Sequence, residues 1–117
     1  MASKFVINKG IDNEYTFTIK KNGSIEAIVI DPSDTFVFRL FELKTSAVVL
    51  TINATVDDAL NGRIKVVIPS SDTEDLAVEV GDRCDYYKRK ATYKGSIECD
   101  TVDNGKFIAK LSKIYVE

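Results

Sequence analysis

Apolar and polar residues alternate along most of this chain, and this period of two is the feature that most constrains its fold. The run Tyr-Thr-Phe-Thr-Ile at 15–19 places its apolar residues on one face and its threonines on the other. The run Arg-Ile-Lys-Val-Val-Ile at 63–68 does the same with two isoleucines and a valine. Such alternation is typical of strands that are buried on one face only. The chain is therefore predicted to be all-β.

Turn residues separate these runs and indicate how the strands connect. Asn-Gly pairs at 22–23 and 104–105 favour tight hairpins, because both residue types tolerate positive φ angles. The segments 57–62 and 71–74 predict short helical turns, the second from the spacing of a capping box. About seven to nine strands with one or two helical turns predict an antiparallel β-sandwich. We expect a single domain over residues 1–117.

Composition limits the partners that this chain is expected to have. Its net charge is −2, and its one dense basic stretch is Lys-Arg-Lys at 88–90, which predicts no nucleic-acid binding. No apolar run is long enough to span a bilayer or to form a signal peptide, so no membrane association is expected. Cys84 and Cys99 suit reduced, buried thiols, and whether they pair stays open.

The residues that most enzymes use are missing from this sequence. The chain has no histidine, which removes the usual general base and the commonest metal ligand. Its six glycines are scattered and form no phosphate-binding loop. Two cysteines without histidine partners do not complete a zinc site. We therefore expect no enzyme, no catalytic residue, no cofactor, no metal and no small-molecule substrate.

One segment, 100–111, begins like a calcium-binding loop. It has an acid, an asparagine and a glycine at the first, fifth and sixth positions. Val102 and Leu111 stand at the third and twelfth positions, where oxygen ligands are required. The segment therefore favours a hairpin turn. Oxygen ligands assembled from separate loops, such as Asp31 with Asp34, stay open.

Several apolar and aromatic residues are candidates for contact with other proteins. Exposed apolar edge strands are expected near 5–7 and 114–116, where a second chain would pair, and pairing inside the domain is the alternative. Tyr87 and Arg89 share one face of a predicted strand, and both residue types are enriched at interface hot spots. A second sheet covering that face is the alternative. The interface candidates are Phe5, Ile7, Tyr87, Arg89, Tyr93, Ile114 and Val116.

The order of strands and turns is similar to that of a known family. A Phe-x-Leu strand at 38–40 is followed by an Asp/Ala/Asn-Gly connector, an x-Ile-x-Val-x-Ile strand and a Ser/Asp/Thr helical turn, with the best match over 54–76. This pattern resembles the Ig-like β-sandwich modules of tailed-bacteriophage virion proteins, including the N-terminal domain of baseplate upper proteins. The segments 27–34 and 110–116 depart from it.

The resemblance implies a non-enzymatic structural component of a bacteriophage virion, from its tail, baseplate, neck or capsid surface. Its partners would be copies of itself in a homo-oligomer and other virion proteins. It would be located in the virion, assembled in the host cytoplasm. The alternative is a carbohydrate- or receptor-binding sandwich that uses loop carboxylates with Tyr87 or Tyr93, or a calcium-dependent module of that kind.

Overall fold

A computed structural model of the chain describes residues 5–20, 26–76, 79–80, 89–90 and 93–116. Strands make up most of these residues, so the predicted all-β class is confirmed. The turn at 22–23 and Cys84 lie outside the described residues. The elements are β1 (Phe5–Ile7), β2 (Asn13–Thr18), β3 (Thr35–Glu42), β4 (Val48–Asn53), β5 (Thr55–Asp58), β6 (Arg63–Ile68), α1 (Ser70–Thr73), β7 (Glu79–Val80), β8 (Arg89–Lys90), β9 (Tyr93–Thr101) and β10 (Gly105–Val116).

The strands form two larger sheets and one small one. The five-stranded sheet has the order β1-β10-β9-β3-β4, the three-stranded sheet has the order β2-β6-β5, and β7 pairs with β8. Every pair is antiparallel except β1 with β10, which run parallel with Ile7 opposite Val116. The predicted hairpin at 104–105 is confirmed, since it joins β9 to β10 and Gly105 has a φ of 71°.

The core lies between the two larger sheets and follows the alternation in the sequence. Phe38 and Leu40 of β3 are fully buried, and so are Ile64, Val66 and Ile68 of β6. Burying one such side chain contributes about 1.5–3 kcal/mol. One buried cluster joins both sheets and consists of Ile7, Ile19, Ile28, Ile30, Phe36, Phe38, Leu40, Ile64, Val66, Ile68, Leu76, Tyr93, Ile97, Cys99, Ile114 and Val116.

The helical turns differ from the prediction in detail. Residues 55–58 form strand β5 and pair with β6, so helical geometry is confined to α1 within the described residues. The predicted capping box does not form, because Pro69 occupies the N-cap position and offers no side-chain acceptor. The amide of Ser70 instead donates to the carboxylate of Asp12 at 2.7 Å. A contact between distant parts of the chain replaces the local cap.

Gly62 ends the connector between β5 and β6, and the fold leaves no room for a side chain there. Its φ is 66°, and a Cβ at this position would lie 2.5 Å from the backbone oxygen of Ile28. Gly10 has a φ of 85° with nothing within 4 Å of the equivalent Cβ. The two glycines therefore separate the cost of left-handed backbone from the cost of a clash.

We predict that Gly62→Ala destabilises the protein more than Gly10→Ala. Gly10→Ala should lower the free energy of unfolding by about 1 kcal/mol, the cost of a left-handed alanine. Gly62→Ala should lower it by about 3 kcal/mol, because the connector must also move away from Ile28. Urea denaturation of both variants measures the difference. Equal losses would show that the connector relaxes freely.

Tyr15 links the edge strands of the two sheets. Its hydroxyl donates to the backbone oxygen of Val6 in β1 and lies 3.0 Å from Oδ1 of Asn13. The side chain of Asn13 in turn bonds the backbone of Asn8 and Ile11 at 2.9 and 3.0 Å. Burial raises the pKa of Tyr15 to about 12. The phenol is therefore held neutral where the sheets meet.

We predict that Tyr15→Phe lowers the free energy of unfolding by about 1 kcal/mol at neutral pH, because the Val6 carbonyl loses its donor. The folded state favours the neutral phenol, so this contribution is present below about pH 10. It is lost as the pH rises through the raised pKa of about 12. Denaturation curves at pH 7 and 11 should show wild type losing more stability than Tyr15→Phe. A constant difference between the two proteins would contradict this.

Candidate functional site

The outward face of the five-stranded sheet carries a pocket with two lysines. Its volume is about 440 Å³. Ligand sites in proteins usually occupy roughly 300–1,000 Å³, so the pocket has room for a small molecule. The lining residues are Phe41, Ser46, Lys94, Gly95, Ser96, Ile108 and Lys110.

Strand register brings these side chains together from three strands. Along β9, Tyr93, Gly95 and Ile97 face the core, so the alternate residues Lys94 and Ser96 face outward. On one side Phe41 of β3 lies opposite Lys94, and on the other side Lys110 of β10 lies opposite Ser96. The pocket is therefore centred on β9, with an aromatic ring on one flank and a cation on the other.

A β-bulge in β10 lies beside the pocket. Leu111 pairs with Gly95 and Ile114 pairs with Tyr93, so β10 spans the interval with one more residue than β9. Bulges bend a strand and redirect its side chains. A Cβ at Gly95 would lie 2.8 Å from Cδ1 of Ile114, so the glycine allows the bulged strand to pack closely. This end of the pocket is shaped by an irregularity that the alternation does not predict.

The charge of the pocket is positive. The ammonium group of Lys94 donates to Oγ of Ser46 at 2.7 Å, and Lys110 is exposed. No carboxylate lines the pocket, and within the described part of the chain neither lysine forms an ion pair. Glu98, the next outward residue of β9 after Ser96, is paired with Arg39. Its charge is thus neutralised by β3.

This arrangement can bind an anion that also carries a flat apolar group. Lysine is a flexible point charge that suits phosphate oxygens, and the hydroxyls of Ser46 and Ser96 are further donors. The ring of Phe41 and the side chain of Ile108 supply apolar surface at the same site. Among the described residues that line the pocket, none is an acid or a histidine that would serve as a general base.

Across 5–20, 26–76 and 93–116, no group of three or more potential side-chain ligands comes together around a metal position. No helix in the described part of the chain has the length and apolarity to cross a membrane.

The oxygen atoms of Asp31 and Asp34 are engaged in loop structure. Asp34 accepts bonds from the backbone amides of Asp31 at 2.9 Å and Val102 at 2.8 Å. Asp31 accepts from the amide and the hydroxyl of Ser33, and these bonds lower the pKa of its carboxyl group. Asp34 joins the turn before β3 to the β9–β10 hairpin, whereas the carboxylate of Asp31 bonds within the turn.

Four of the predicted interface residues lie in the core. Ile7, Ile114 and Val116 are almost fully buried, and Tyr93 is only 5% exposed. The prediction of an exposed apolar edge at these residues was wrong. β1 pairs with β10 inside the chain, which was the alternative. The reason is that pairing satisfies the backbone of both strands while burial removes their apolar side chains from water.

The other interface candidates are only partly described. Phe5 pairs with Ile114 through its backbone, and Arg89 lies in β8 opposite Val80. Tyr87 lies outside the described residues, and the side chains of Phe5 and Arg89 also lie outside them. Of the predicted residues whose side chains the structure describes, none lines the pocket, and the homo-oligomer stays a prediction.

A search against protein-family models finds no match. A curated relative, deoxyuridine 5'-triphosphate nucleotidohydrolase of Helicobacter pylori (strain Shi470), is 39% identical over 62 residues. The match covers 52% of this chain and 43% of the relative, so the chain spans less than half of that protein's length. This relative is named as an enzyme of nucleotide metabolism. It overturns our expectations of a virion component and of a non-enzymatic protein, which were wrong.

Proposed function

We propose that this chain binds and hydrolyses a deoxyribonucleoside triphosphate of the deoxyuridine type. The observation that carries this proposal is the 39% identity over 62 residues to deoxyuridine 5'-triphosphate nucleotidohydrolase. The lysine pocket on the five-stranded sheet supports it, because its chemistry matches both halves of such a ligand. The absence of histidine, which argued against an enzyme, bears on the hydrolytic step and not on binding of the triphosphate, which requires cations and hydrogen-bond donors.

The triphosphate is assigned to the lysine side of the pocket. Lys94 and Lys110 approach it from neighbouring strands, and Ser96 lies opposite Lys110 in register. A hydrogen bond to a charged group contributes about 1.5–3 kcal/mol, so the loss of one lysine should weaken binding roughly tenfold. The engagement of Glu98 by Arg39 removes the negative charge that would otherwise repel the phosphates.

The base is assigned to the apolar side of the pocket. Phe41 lies opposite Lys94 on β3, and its ring is half-buried. Ile108 of β10 is 56% exposed and lies on the other flank, beside Lys110. A flat pyrimidine placed against the Phe41 ring would cover apolar surface that is now in contact with water.

We also propose that the two sheets form an Ig-like sandwich, as the sequence predicted. In such sandwiches the variable-type sheet contains strands G, F, C and C′, and the other sheet contains B, E and D. The orders β10-β9-β3-β4 and β2-β6-β5 agree with these when strands are lettered in chain order. The additional pair β7–β8 falls between the strands lettered E and F.

The proposed function is tested with the purified chain and deoxyuridine triphosphate in the presence of Mg²⁺. We expect saturable binding by calorimetry and release of inorganic phosphate or pyrophosphate above the rate without protein. The corresponding nucleoside, which lacks phosphate, should bind much more weakly, because the lysines would have no anion to contact. A chain that neither binds nor hydrolyses the triphosphate would contradict the proposal.

We predict that Lys94→Met and Lys110→Met each raise the Kd for the triphosphate about tenfold. Lys106→Met is the matched control. Lys106 lies on β10, as Lys110 does, and the substitution removes the same charge. Its side chain is 83% exposed, lies 3.9 Å from Asp100 and does not line the pocket. Calorimetry should show little change for this variant. If all three variants lose affinity equally, the ligand responds to net charge and the pocket is not its site.

A further inference from the structure

Ser46 has a backbone conformation that is unusual for its residue type. Its φ is 61°, and among the described residues every other positive φ belongs to a glycine. Side chains with a Cβ are strained in this region, and glycine or asparagine is the common choice there. Strained residues concentrate at functional sites, where the surrounding structure holds them in place. Ser46 lines the lysine pocket.

The turn between β3 and β4 requires the left-handed residue. Within this turn the amide of Ser46 donates to the backbone oxygen of Glu42 at 2.9 Å. The amide of Glu42 donates to the oxygen of Ala47, also at 2.9 Å. These two bonds close the hairpin, and a glycine at position 46 would form both without strain. The backbone alone therefore does not explain the serine.

The hydroxyl of Ser46 gives a reason for the residue. It accepts a hydrogen bond of 2.7 Å from the ammonium group of Lys94, which lies 48 residues further along the chain. A lysine side chain is long and flexible, and this bond fixes its charged end relative to the β3–β4 turn. Glycine would satisfy the turn but would leave that ammonium group unattached.

We infer that Ser46 is a positioning residue for anion binding, held in a strained turn so that its hydroxyl keeps Lys94 in the pocket. The inference rests on the proposed binding of a triphosphate at this site. It requires stability and affinity to change in opposite directions when the serine is replaced by glycine. If Ser46 served the turn alone, its replacement by glycine would raise stability without weakening anion binding.

Three substitutions of Ser46 separate strain from positioning. Ser46→Gly removes both the strain and the hydroxyl, whereas Ser46→Ala removes the hydroxyl and keeps the strain. Ser46→Asn provides a side-chain oxygen in a residue that tolerates the left-handed region. The readouts are the Tm of each variant, the Kd for deoxyuridine triphosphate and for inorganic tripolyphosphate, and the mobility of the Lys94 side chain by NMR.

We expect Ser46→Gly to raise the Tm by about 4 °C and to raise the Kd for both ligands about fivefold. Ser46→Ala should weaken binding to the same extent without the gain in Tm. Ser46→Asn should keep the Kd within about twofold of wild type, because its oxygen replaces the hydroxyl as acceptor. In Ser46→Gly without ligand, the Lys94 side chain should become as mobile as that of Lys110.

The inference and the proposed function fail in different ways. Unchanged affinity in Ser46→Gly overturns the positioning role and leaves triphosphate binding intact. Binding of tripolyphosphate but not of deoxyuridine triphosphate overturns the proposed substrate and leaves the positioning role intact. If wild type binds neither ligand, the NMR comparison decides, and equal Lys94 mobility in wild type and Ser46→Gly overturns the inference.

Discussion

The pairing of β9 with strands on both of its sides is the constraint on which the rest of the described structure depends. β9 pairs with β3 over eight residues and with β10 from Thr101 to Tyr93. Its inward residues, such as Ile97, complete the core, and its outward residues form the centre of the pocket. A register slip of one residue in β9 would bury Lys94 and expose Ile97, so core packing also determines the position of the candidate site.

Charge is distributed unevenly across the outward face of this sheet. Arg39 and Glu98 neutralise one another, and both side chains are partly exposed. Such an exposed pair contributes little to stability, on the order of 0–1 kcal/mol. Its consequence is local: within the described residues, Lys94 and Lys110 are then the charged side chains of the pocket that have no ion-pair partner. The pair thus matters more for the sign of the potential at the pocket than for the free energy of folding.

The buried polar side chains are compensated by hydrogen bonds within the protein, unlike the charged side chains of the pocket. Asp34 and Thr73 are almost fully buried, and each has hydrogen-bond partners in the backbone of distant segments. Unpaired, each would cost about 1–3 kcal/mol, so their partners hold the connecting loops against the sheets. Of the two lysines of the pocket, Lys110 is exposed and Lys94 is partly exposed. Water compensates their charge.

Local pattern predicted most of the strands, the β9–β10 hairpin and the inward faces of β3 and β6. The prediction failed where contacts between distant segments determine the local structure. The Asp12 carboxylate takes the place of the capping box at α1. Of the expected turn at 57–62, the first two residues extend β5 because they pair with β6, and the rest forms a turn that ends at the left-handed Gly62. The pocket was missed for the same reason. The alternation predicts that Lys94 and Ser96 face outward, but the sequence of one strand does not indicate which strands pair with it.

The sequence by itself determined the all-β class and which side of each strand faces the core, because a period of two is a property of a single strand. Only the tertiary structure decided that Ile7, Ile114 and Val116 are internal, since their burial depends on β1 reaching β10 across the length of the chain. It likewise decided that Ser46 meets Lys94. Such contacts depend on which strands become neighbours, and that choice is made by packing both sheets against a single core.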